Sequence, residues 1–71
     1  MNMDDMIKLA DALFYLRHNL PLDEFHEAVF PGAEEYYVES KYDAFREGKL
    51  WGSLDTSRKV KLLELAKRKY L

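Results

Sequence analysis

From Asp4 to Leu20 the apolar residues Met6, Leu9, Leu13, Leu16 and Leu20 return at alternating steps of three and four. That is the period of one face of a helix; a half-buried strand would alternate every two residues. Ile7, Ala10 and Phe14 widen the stripe. Asp4 and Asp5 put negative charge at the helix start, where the dipole favours it, and Pro21 ends the helix.

The same logic carries through the rest of the chain. Pro21-Leu22-Asp23 opens a short second helix with Leu22, Phe25 and Val29 on one face, and Pro31-Gly32 stops it. A third helix is expected from Ala33 to Glu47, with Val38, Tyr42 and Phe45 inward and Gly48 as its C-terminal cap. Lys49 to Leu54 is too short and glycine-broken for a long element, so it reads as a turn that tucks Leu50, Trp51 and Leu54 into the core. Trp51 is the largest side chain of a very small domain, which argues for its burial. Asp55 or Thr56 caps a fourth helix running to Tyr70, with Val60, Leu62, Leu63, Ala66 and Tyr70 as its apolar face.

No segment alternates like a strand or carries a hairpin turn. The expectation is therefore an all-α fold, one domain over residues 1–71. It is a compact bundle or orthogonal array of about four helices, one of them short, without a sheet. Its core is expected to close around Leu9, Leu13, Leu16, Phe25, Val29, Val38, Phe45, Leu63 and Ala66. Short connections should make sequential helices neighbours.

A chain of 71 residues without cysteine has neither disulfides nor thiolate metal ligands to hold it together. Apolar burial must do so, and a 48% hydrophobic composition with five Tyr, four Phe and one Trp supplies the material. No stretch approaches 18 apolar residues, so no membrane span is expected. Met1 to Lys8 carries two aspartates where a secretory signal would carry positive charge, which points to a cytoplasmic location.

Catalytic signals are poor. Ser40, Ser53 and Ser57 sit in no strained elbow, and the three glycines are dispersed, so no phosphate loop forms. Asp23 and His26 make one helical Asp-x-x-His pair, but a di-metal bundle needs a second motif and further carboxylates. Tyr15 occupies the matching position before His18, so His26 is expected to be exposed and structurally neutral. With His18 and His26 the only imidazoles, a structural zinc is not expected either. These readings predict a non-enzyme without metal or cofactor.

A helix-turn-helix alignment on Gly32 places Ala28 and Val38 suitably, yet puts Pro31 where a helical residue belongs. The would-be recognition helix carries Glu34, Glu35, Glu39, Asp43 and Glu47 against Lys41 and Arg46, which repels phosphates. DNA reading by this helix is not expected.

Charge is very unevenly spread. Ser57 to Leu71 holds six basic residues and one acid, whereas Met1 to Thr56 holds five basic and twelve acidic residues. On the third helix Glu35, Glu39, Asp43 and Glu47 recur every four residues and form one stripe. Each like-charged neighbour at that spacing costs about 0.2–0.5 kcal/mol, and Glu47 also faces the negative end of the dipole. Local stability would not select this arrangement. Antiparallel packing of helices three and four would turn the stripe onto Lys61, Lys67 or Arg68, the ordinary fate of a surface charge run. Left open, the stripe with Tyr36 beside it would suit a basic protein surface. Tyr15 and Tyr37 are further candidates for exposure.

The short, cysteine-free, aromatic-rich and locally acidic chain resembles small phage-encoded regulators that inhibit host complexes, anti-CRISPR proteins among them. The likeness is one of composition across the whole chain and transfers no site. The leading expectation is a non-catalytic interaction or inhibitory module whose partner-binding residues are Glu35, Tyr36, Glu39, Asp43 and Glu47, docking on a basic surface of a protein complex. The alternatives are nucleic-acid binding through a basic surface of Arg58, Lys61, Lys67 and Arg68 on the final helix, or a structural helical subunit.

Overall fold

The computed structural model describes residues 2–71 as four α-helices and one 3-10 turn. The helices are α1 (Met3–Asn19), α2 (Leu22–Val29), α3 (Glu35–Arg46) and α4 (Thr56–Tyr70), with the turn at Trp51–Ser53. Among the described residues there is no strand. Met1, included in the expected domain, lies outside them.

Local chemistry sets the helix ends. The Asn2 side chain accepts the Asp5 N–H at 2.8 Å and so caps α1. Pro21, in extended conformation, starts α2 without needing a donor of its own. Gly48 ends α3 at φ +81°, with its N–H donating to Phe45 O and that of Lys49 to Ala44 O. This paired pattern satisfies two otherwise orphaned carbonyls. Asp55 caps α4 by accepting the Arg58 N–H at 2.9 Å.

The long helices α1 and α4 lie against each other, and α2 packs on both α3 and α4. Ala12 on α1 and Ala66 on α4 are fully buried, and small side chains let helix axes approach closely. Phe25 centres the remaining core: its ring lies 5.1 Å from Phe45, 5.3 Å from Tyr42 and 5.7 Å from Phe30. The Tyr42 hydroxyl donates to the carbonyl of Leu20, tying α3 to the end of α1.

Four expectations need correction. The main packing neighbour of α4 is α1, not α3, because the turn at Trp51–Ser53 redirects the chain after α3. The apolar arc of α1 is wider than one neighbouring helix covers. Ala12, Leu16 and Leu20 are buried and Leu9 and Leu13 half-buried, while Met6, Ile7, Ala10 and Phe14 stay exposed. On α4 the buried set is Leu62, Leu65 and Ala66; Leu63 is half-buried, and Val60 and Tyr70 face outward. Trp51 is 38% exposed, because Leu50 and Leu54 fill the core beneath the turn while the indole lies 5.7 Å from Lys59 Nζ.

His26 also differs from expectation. It is half-buried, and its Nε2 lies 2.9 Å from Ala33 O. A carbonyl only accepts, so Nε2 carries the proton in this bond and the ring pins the α2–α3 connection.

Candidate protein-docking face

The inward residues of α3 are Val38 and Phe45, with Tyr42 half-buried beside them. At 3.6 residues per turn this directs Tyr36, Asp43 and Glu47 to the opposite side, with Glu39 on the flank and Glu35 further round toward Tyr42. All five are exposed, and Tyr36 at 72% is among the most exposed aromatics of the chain. The face is thus a row of carboxylates with one phenol ring at its N-terminal end.

Among the described residues, Glu35, Glu39 and Asp43 form no ion pair. Glu47 meets Lys49 at 3.0 Å, a solvent-exposed pair of little energetic weight. The two cations on α3 itself turn to aromatic rings: Lys41 Nζ lies 5.3 Å from the Tyr37 centroid, and Arg46 lies 5.7 Å from that of Tyr42. Tyr37 in turn packs edge-on against Phe30. The acidic row is therefore open to solvent, with no cation of α4 across it.

The basic residues of α4 are used differently. Arg58 turns inward, donating from Nε to Val29 O at 3.0 Å, pairing with Asp55 at 2.6 Å and lying 4.9 Å over the Phe30 ring. Lys69 pairs with Glu24 on α2 at 2.9 Å. Lys61, Lys67 and Arg68 remain outward and make no ion pair among the described residues, with Glu64 exposed on the same side. Of the alternative basic surface, Arg58 is thus engaged within the molecule, while Lys61, Lys67 and Arg68 stay exposed.

The Asp55 carboxyl is held below its ordinary value of 3.8, first by the hydrogen bond from Arg58 N–H and then by the charge of the Arg58 guanidinium. Among the described residues no three His, Asp or Glu side chains are grouped to hold a metal ion. No helix there is long and apolar enough to cross a membrane.

One surface escaped the residue pattern. The exposed half of α1 meets the Trp51 turn along a groove of about 340 Å³ lined by Ala10, Leu13, Phe14, Arg17, Phe45, Gly48 and Trp51. Its signal was present in the excess width of the α1 stripe, which exceeds what a single packing partner can bury. Tyr15 is exposed, as expected, and stands 5.9 Å from Tyr70.

No family model, curated protein or solved structure matches this chain.

Proposed function

We propose that this chain is a non-catalytic protein-interaction module that docks the acidic, tyrosine-bearing face of α3 on a basic surface of a protein complex. The observation that carries this reading is the row Glu35, Glu39 and Asp43, without an ion pair among the described residues and exposed on a chain with eleven basic residues. Two like-charged steps work against the helix that bears them, and the intramolecular cations that could have relieved them lie elsewhere. A basic partner surface supplies that relief and gains orientation from it, while Tyr36 provides a rigid contact that loses little entropy.

The module acts by occupancy. A surface that normally receives nucleic-acid phosphates is the natural target for such a row, and covering it inhibits. A cytoplasmic setting belongs to this reading. Nucleic-acid binding by α4 is less well supported, since Arg58 and Lys69 are engaged within the molecule.

The test is affinity capture from the native host with the wild type and with Glu35→Lys/Glu39→Lys/Asp43→Lys as baits. A partner held by the wild type and released by the variant supports the reading. A partner held equally by both removes it.

A further inference from the structure

Helix α1 carries a second, unrelated surface. Met3 is 75% exposed, Ile7 54% and Phe14 53%, with Met6 and Ala10 exposed on the same side of the helix. A contiguous apolar strip of this kind marks an interaction site far more often than isolated exposed side chains do. The two halves of the strip differ in shape. The first turns carry projecting side chains, Met3, Met6 and Ile7, whereas the later turns form one wall of the groove completed by Phe45, Gly48 and Trp51.

They differ in charge as well. The first turn holds Asp4 and Asp5, and the last holds Arg17 and His18. Arg17 lines the groove and, among the described residues, makes no ion pair. Its guanidinium at the groove is a cation that an incoming carboxylate would pair with.

We propose that the chain forms a two-fold symmetric dimer in which two α1 helices pair antiparallel. A two-fold axis near Ala10 and Asp11 brings the projecting Met3, Met6 and Ile7 of one copy onto the Phe14–Trp51 groove of the other, and does so twice. It also brings the acidic first turn of each copy to Arg17 and His18 of the partner subunit. Knob meets groove and acid meets base under the same operation, as a self-complementary interface requires. Ala10, without a bulky side chain, stands at the crossing and allows close approach of the axes.

The available area is consistent with a reversible dimer. At these exposures the apolar strip and Trp51 offer on the order of 500 Å² per chain. Two copies then cover about 1,000 Å², near the lower bound for a specific interface. The inference is independent of the reading of α3.

Sedimentation equilibrium from ~1 μM to ~1 mM chain tests it. The wild type is expected to pass from monomer to dimer across that range, and Ile7→Glu and Phe14→Glu to weaken the dimer at least about 10-fold while keeping wild-type helicity. Asp4→Lys and Arg17→Glu should each impair self-association, and an equimolar mixture of the two should recover it as a heterodimer, because both charge contacts are then attractive. Ile7 and Asp4 are exposed, so their variants carry the test should Arg17→Glu not fold. A wild type that stays monomeric throughout overturns the proposal. So does a dimer indifferent to Ile7→Glu and Phe14→Glu, or one that the mixture fails to restore.

Discussion

The guanidinium of Arg17, on α1, lies over the bare Cα of Gly48 at the end of α3, so closely that a Cβ on Gly48 would stand 2.7 Å from Nη1. The glycine also adopts φ +81°, a conformation that other L-residues resist. Two requirements therefore fall on one position. Gly48→Ala should cost about 1–2 kcal/mol in urea unfolding, mainly through the backbone, since the arginine tip can move aside. An unchanged midpoint would show that α3 ends differently.

The hydroxyl of Tyr42 is the polar tie between α3 and the end of α1. Tyr42→Phe keeps the ring against Phe25 but leaves the Leu20 carbonyl without that donor. The expected loss is about 0.5–1.5 kcal/mol in thermal or urea unfolding, with helicity retained. A larger loss would mean that the ring itself had shifted.

Asp55 ties stability to pH. Its carboxyl titrates lower in the folded chain than in the unfolded one, so its contribution is complete above the unfolded value of 3.8 and is lost as pH falls through the folded value. Asp55→Ala should be less stable than the wild type at pH 7, and the gap should narrow in strongly acidic solution as the carboxylate loses its charge. Asp55→Asn, which still offers an acceptor to the Arg58 N–H, should recover much of the difference. A gap of undiminished size at pH 2 would assign the effect to something other than this charge.

The acidic row predicts opposed effects on stability and binding. Glu39 has a carboxylate neighbour four residues away on either side, Glu35 and Asp43. Glu39→Gln should therefore raise stability by about 0.4–1 kcal/mol at low salt, an effect that fades as salt screens the row. The same substitution should weaken partner capture. Urea unfolding at two ionic strengths measures the first effect directly.

These features were unequally legible in the sequence. The helices and most of their ends follow from periodicity, prolines and caps, because those signals act within a few residues. The burial of Leu16, Phe25, Val29, Val38 and Phe45 was equally readable. What periodicity could not decide is which half of the broad α1 stripe would be covered, since that depends on where α4 comes to rest. Chain order suggested α3 as the neighbour of α4, whereas the turn at Trp51–Ser53 carries α4 to α1 and leaves the indole outside. The spacing of Glu35, Glu39 and Asp43 was visible from the start; their freedom from α4 is a tertiary fact.

The central claim concerns that freedom, and a titration tests it most directly. The partner captured by the wild type, once purified, is titrated calorimetrically with the wild type and with Glu35→Lys/Glu39→Lys/Asp43→Lys at low and physiological salt. The account predicts affinity that falls with salt and a loss of about 100-fold or more on charge reversal. Equal affinities for the two chains, indifferent to salt, would contradict it.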